Sequence, residues 1–107
     1  MEHKKVIFIA GPISGVRYYR AKFEKCEKLL IENGFTVLSP ARLPKGMTGA
    51  QYERICLAMI DAADAVVLLP GWYDSRGAKL EADYCGYIGK PTYFTIDGLI
   101  EAEEVRT

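Results

Sequence analysis

The sequence predicts an α/β fold: a flavodoxin-like or Rossmann-like parallel sheet of four to five strands sandwiched by helices, as a single domain over residues 1–107. Three observations predict it. Short apolar runs alternate with stretches of helical periodicity, the pattern of strands joined by crossover helices. Gly-Pro, Ser-Pro or Pro-Gly stands at the end of each of the first three apolar runs, where a chain leaving a sheet must turn. Half the residues are hydrophobic and 26% charged, the balance of a chain with a packed core, and 107 residues is the ordinary size of one domain.

Residues 5–10 (KVIFIA) are a continuous apolar run halted by Gly11-Pro12, as expected of a strand covered on both faces. From about residue 18 to 33, Phe23, Cys26, Leu29 and Leu30 recur at helical spacing and Gly34 supplies the stop, giving a first helix. Residues 35–38 (FTVL) are β-branched and aromatic ahead of Ser39-Pro40, a second strand. Residues 40–49 (PARLPKGMTG) hold two prolines and two glycines and are expected to form a long loop without regular structure. Thr48 then caps a second helix over about residues 50–62, with Tyr52, Ile55, Met59 and Ala62 along one face. Residues 65–69 (AVVLL) make a buried third strand that Pro70-Gly71 ends, and Asp74 or Ser75 caps a third helix running to Ile88, with Gly89 as its stop. Residues 91–96 are expected to form a fourth strand and residues 99–107 a last helix.

Composition removes several function classes. Lys+Arg and Asp+Glu both number 14, so no global field draws the protein to nucleic acid polymer or anionic lipid, although a local phosphate site stays open. The longest apolar run, residues 62–70, is interrupted by Asp64 and too short to span a bilayer. The apolar stretch after the basic start is shorter than a secretory core, so a cytoplasmic location is expected. Cys26, Cys56 and Cys85 are odd in number, widely spaced and without a C-x-x-C pair, which favours buried thiols over a disulfide frame or a zinc site. His3 is the one histidine, so neither a metal site nor any cofactor is expected, and acid/base chemistry must rest on carboxylates, tyrosines or lysines.

In a parallel sheet, ligands gather at the carboxyl ends of the strands, and two loops there carry chemistry. After the first strand come Gly11, Pro12, Ile13, Ser14, Gly15, Val16 and Arg17. The glycines permit close backbone approach, Ser14 offers a hydroxyl, and Arg17 stands at a helix start, parts that suit a phosphate and equally an ordinary turn. The spacing is neither that of a P-loop nor that of a dinucleotide fingerprint. After the third strand, residues 70–81 bring Trp72, Tyr73, Ser75 and Gly77 to Glu81. Glu81 shares a helical face with Gly77, Ala78 and Cys85, all small, which leaves room beside the carboxylate for a ligand. Near the start of its helix the dipole favours an ionised carboxylate, fit to be a nucleophile or simply a solvated surface charge. Trp72 and Tyr73 are candidates either to stack on a base or to cover the sheet edge.

Three segments carry a resemblance. FIAGPISG at residues 8–15, DAVVLLPGW at 64–72 and S-x-G-A-x-x-E-A-D-Y-x-x-x-x-G-K-P at 75–91 together resemble the nucleoside 2-deoxyribosyltransferase superfamily, and within it a group of short, often phage-associated proteins for which the family gives a fold more than an activity. The resemblance implies cleavage of the N-glycosidic bond of a 2′-deoxynucleotide or nucleoside, with Glu81 as the nucleophile that attacks C1′ and forms a glycosyl-enzyme, as in a retaining glycosidase. Ser75, six residues before Glu81, and the G-x-I-x-G-x-R of Gly11, Ile13, Gly15 and Arg17 match the branch that takes 5′-monophosphates; with Ser14 and Gly77 they form the implied phosphate and substrate site. A homo-oligomer, dimer or higher, is also implied. Phe8 replaces a tyrosine of the superfamily, and Cys56 stands where the aspartate that assists the leaving base is expected; Glu53 and Asp61 are the nearest carboxylates in that helix. These two departures supply the alternative, a nucleotide-binding or sensing module without catalysis.

Overall fold

The computed structural model of the protein describes residues 3–104. The run before Gly11 forms strand β1 (Val6–Ala10), in which Ile7, Phe8, Ile9 and Ala10 are wholly buried. Because successive side chains of a strand point to opposite faces, β1 feeds two cores. Ile7 and Ile9 pack with Phe23, Cys26 and Leu30 of helix α1 (Tyr19–Glu32) and with Leu99 of helix α4 (Ile96–Glu103). Phe8 and Ala10 pack with Cys56 and Ile60 of helix α2 (Gly49–Ala62) and Cys85 of helix α3 (Arg76–Ile88). Strands β2 (Thr36–Leu38), β3 (Ala65–Leu68) and β4 (Thr92–Tyr93) complete a four-stranded sheet in the order β2-β1-β3-β4, every neighbouring pair parallel. In register, Ile7 lies opposite Val37 on one side and Ala65 on the other. This is the predicted α/β sheet, with α1 and α4 on one face and α2 and α3 on the other.

The helix boundaries follow their caps. The Thr48 hydroxyl accepts from the Gln51 amide while the Gln51 side chain accepts from the Thr48 amide, a reciprocal capping box. Ser75 caps α3 by accepting from the Ala78 amide at 3.3 Å, and Gly89, at φ 73°, closes it.

Four local expectations are corrected. The fourth strand covers two residues rather than 91–96, because the Thr95 hydroxyl accepts from the Gly98 amide at 3.0 Å and turns the chain into α4. That helix accordingly begins at Ile96, three residues earlier than expected, and residues 105–107 of the expected helix lie outside the described residues. Within 40–49, Pro40–Arg42 form a 3-10 turn, since proline suits a first helical position and Ser39 caps it through the Ala41 amide. The inward faces of the first two helices also differ in part from the ones predicted, although Phe23, Cys26 and Leu30 of α1 are buried as expected. On α1, Glu27 is buried and Leu29 exposed, because the Arg42 guanidinium grips both carboxylate oxygens of Glu27, with Nε 3.1 Å from Oε1. On α2, Cys56 and Ile60 are the buried pair, while Tyr52, Ile55 and Met59 are only half-buried. Among the described residues no helix is long and apolar enough to cross a membrane.

Candidate active site

The sheet order reverses between β1 and β3: the chain leaves β1 for β2 on one side and later enters β3 on the other. Loops departing in opposite directions open a crevice at the carboxyl ends of those two strands. The two chemically unusual loops of the sequence are the ones that meet there. A Cβ on Gly71 would lie 3.5 Å from the Pro12 ring, and one on Gly11 would fall 3.0 Å from Leu69 Cβ and 3.2 Å from Phe23, so even a methyl at Gly11 would press on both neighbours.

The first loop divides its residues between core and solvent. Ile13 packs against the α1-side core and its carbonyl accepts from the Val16 amide at 3.2 Å, closing a turn through Gly15 at φ 73°. Ser14 and Arg17 face solvent, and the Arg17 guanidinium lies 5.8 Å from the Tyr18 ring centre. Tyr18, at φ 59°, starts α1 without a side-chain cap, so first-turn amides stay available to an anion. Beside this helix start runs a shallow groove lined by Val16, Tyr18, Tyr19, Arg20, Ala21 and Lys45. Arg20 Nε is buried there without a hydrogen-bond partner. Arg20 and Lys45 escaped the sequence reading because one sits on a helix face and the other in a different loop.

The second loop makes a 3-10 turn over Trp72–Asp74 after Gly71, at φ 87°. Trp72 packs against the α2/α3 core, edge-on to Tyr73 at 6.0 Å and tilted against Phe94 at 5.8 Å, the contacts of a lid over the sheet edge. Tyr73 is exposed and its ring is open to a ligand. Ser75 spends its oxygen on the α3 amide and keeps its hydroxyl proton to donate.

Glu81, in the second turn of α3, is only 6% exposed, so it is not a surface charge. The expectation that the helix dipole keeps it ionised is corrected. Burial first, and then the neighbouring Glu53 carboxyl, push its pKa far above the usual carboxylate range. The dipole is worth at most about 2 kcal/mol even in favourable sites, less than desolvation beside a second carboxyl withdraws. Nor is the space left by small neighbours empty. Glu53 and Cys56, one turn apart on α2, reach across so that ligand atoms of Glu53, Cys56 and Glu81 all lie within 4.8 Å of one another. A Cβ on Gly77 would come 3.0 Å from Glu53 Oε1. Glu53 Oε2 is buried with no hydrogen-bond partner. Burial, followed by the charge of Glu81, also pushes the Cys56 thiol well up.

Among the described residues these three are the one group close enough to hold a cation. A thiol held protonated beside a carboxyl that itself resists ionisation is a poor donor set, since metals bind the deprotonated forms. Asp61 points elsewhere, accepting from the Tyr84 hydroxyl at 2.6 Å, and Phe8 is wholly within the α2/α3 core. The signal for Glu53 was present in the sequence, three residues before Cys56 and hence on the same helical face.

Residues 5–94 match the model of a family described as "Domain of unknown function (DUF4406)". No curated protein matches the chain. Among solved structures it is similar to a 2-deoxyribosyltransferase from the psychrotolerant bacterium Bacillus psychrosaccharolyticus, a biocatalyst for the synthesis of antiviral and antitumoral nucleosides. The two share 25% identity at a TM-score of 0.65, over 81% of this chain and 69% of that one.

Proposed function

The chain belongs to the DUF4406 family on a 2-deoxyribosyltransferase-like α/β frame, and from that premise we propose that it cleaves the N-glycosidic bond of a 2′-deoxynucleotide or nucleoside, as a hydrolase or transferase, with Glu81 as nucleophile. One observation carries the reading: a buried carboxyl on the helix that springs from the β3 loop, at the reversal of strand order where such sheets bind ligands. Support comes from the two loops. Ser14 and Arg17, with the uncapped start of α1, offer a hydroxyl, a guanidinium and free amides to a 5′-phosphate, while Ser75 has a proton to donate and Tyr73 an open ring for a base. Gly11, Ile13, Gly15 and Gly77 are then frame residues, setting the turn and the helix contact that bring these groups together.

In this reading Glu81 loses its proton before one of its oxygens attacks C1′ as the base departs, and water or a second base releases the sugar from the resulting ester. The test is incubation with each 2′-deoxynucleoside and its 5′-monophosphate, with free base separated by chromatography. Base release that falls at least about 10³-fold in Glu81→Gln is expected for a lost nucleophile. Release from no substrate, or undiminished in the variant, refutes the assignment.

A second reading is favoured by the proton that Glu81 retains and by Phe8 and Cys56, which put a ring and a thiol where a hydroxyl and a carboxylate would assist. It holds that the same crevice binds a nucleotide without cleaving it.

A further inference from the structure

We propose that the groove beside the start of α1 is a second phosphate subsite, and that the nucleotide seated in the crevice is a 5′-di- or triphosphate whose outer phosphates lie with Arg20 and Lys45. This rests on the reading that the crevice takes a nucleotide, and it adds how many phosphates that nucleotide carries.

The groove is lined by Val16, Tyr18, Tyr19, Arg20, Ala21 and Lys45, so it presents two cations and no carboxylate. In a chain with 14 basic and 14 acidic residues that is a local excess of positive charge. Neither cation joins an ion pair among the described residues, where the pairs are Lys5 with Glu103 and Arg42 with Glu27. Two like charges gathered in one groove repel, and an anion placed with them turns repulsion into attraction.

The side chains suit a phosphate. The Arg20 guanidinium lies 5.6 Å from the Tyr19 ring centre, and its Nε is enclosed without a hydrogen-bond partner. An enclosed N–H that lacks an acceptor is a cost to the free protein, which an oxyanion relieves once the side chain turns to meet it. A guanidinium offers such an oxyanion a planar fork of donors, and Lys45, exposed on the loop after β2, adds a point charge on a flexible stem. The groove holds about 390 Å³, room for more than one phosphate.

Continuity with the crevice sets the occupant. Tyr18 lines the groove, and the Arg17 guanidinium lies 5.8 Å from its ring centre, so the groove adjoins the residue given to the first phosphate. Tyr18 is also the one non-glycine residue of positive φ among the described residues, at 59°, a conformation that bulky side chains seldom hold. Its ring is 74% exposed, and the chain turns there from the loop into α1, with Arg17 before the turn and Arg20 after it. A phosphate chain that crosses Tyr18 passes from one guanidinium towards the next. A monophosphate ends at the first.

Calorimetric titration of the full chain tests this, at low salt and without divalent metal. The ligands are a 2′-deoxynucleoside 5′-monophosphate, the matching di- and triphosphates, and inorganic triphosphate. Wild type is expected to bind the nucleoside triphosphate about 10- to 100-fold more tightly than the monophosphate, the gain from one or two further charge-assisted contacts. Lys45→Ala and Arg20→Lys should each weaken triphosphate binding about 10-fold and monophosphate binding much less, since Arg20→Lys keeps the charge but loses the fork. Thermal melts establish that the variants fold, and Lys45→Ala, on an exposed loop, decides the matter should Arg20→Lys unfold. Equal affinity for mono- and triphosphate, equal losses for both in the variants, or no loss, overturns the subsite and leaves the nucleotide reading standing. Inorganic triphosphate bound as tightly as the nucleotide overturns the nucleotide as occupant. Binding of no nucleotide overturns the crevice reading and the subsite with it.

Discussion

A carboxyl group removed from water next to another carboxyl gives up its charge more readily than the fold gives up its burial, and Glu81, beside Glu53, is in that position. Folded Glu81 keeps its proton to higher pH than the same residue in the unfolded chain. Between those two pKa values the native state therefore binds more protons, and stability falls as pH rises above the ordinary carboxylate range. Glu81→Gln cannot ionise and escapes that loss. Thermal unfolding of the two proteins should show the variant gaining on the wild type from about pH 5 to about pH 8, by about 1–3 kcal/mol, the scale of one uncompensated buried polar group. A difference independent of pH would mean that Glu81 is ionised in the folded protein. Glu81 was legible in the sequence from its place in a helix start and from the segment around it. Its protonation was not, because the burial that raises its pKa first, and the Glu53 carboxyl that adds to it, come from packing against another helix, and a single helix read alone supplies only the dipole.

At the scale of elements, the helices were legible wherever a side chain or a glycine marks an end locally, as Thr48, Ser75, Gly34 and Gly89 do. What failed was decided across the molecule. The chain of residues 91–96 has strand-like composition, yet the sheet offers β4 only two positions before the Thr95 cap takes over. Periodicity placed Leu29 inside because it counts apolar residues and cannot see Arg42 coming from the next loop to neutralise Glu27. The contact between α2 and α3 gives a direct prediction. Alanine at Gly77 is worth up to about 1 kcal/mol to a helix interior, but its Cβ would meet Glu53 Oε1 at 3.0 Å, the movable end of a long side chain. Gly77→Ala should therefore unfold at the same temperature as the wild type or higher, as thermal melts would show. A variant that loses stability would place the backbone, not the Glu53 side chain, at the point of contact.

The molecule as a whole carries no excess charge, with 14 basic and 14 acidic residues, so any attraction for an anion must come from local arrangement. The fold supplies such an arrangement by bringing Arg20 and Lys45, from a helix and a loop, into one groove beside the start of α1, with Arg17 in the loop just before it. The fold class was legible because alternation of strands and helices is a pattern along the chain. The meeting of Arg20 and Lys45 was not, since it exists only once the loop after β2 lies beside α1. A 5′-phosphate should consequently be the part of a ligand that the crevice grips most firmly. In thermal-shift measurements a 2′-deoxynucleoside 5′-monophosphate should stabilise the protein more than its nucleoside, approaching about 2.7 kcal/mol at one hundred times its dissociation constant. Added salt should erode that advantage, as should Arg17→Ala, while the response to the bare nucleoside stays as it was. Stabilisation by the monophosphate without base release would favour a binding module over an enzyme, and equal responses to nucleoside and monophosphate would remove phosphate from the role of these loops.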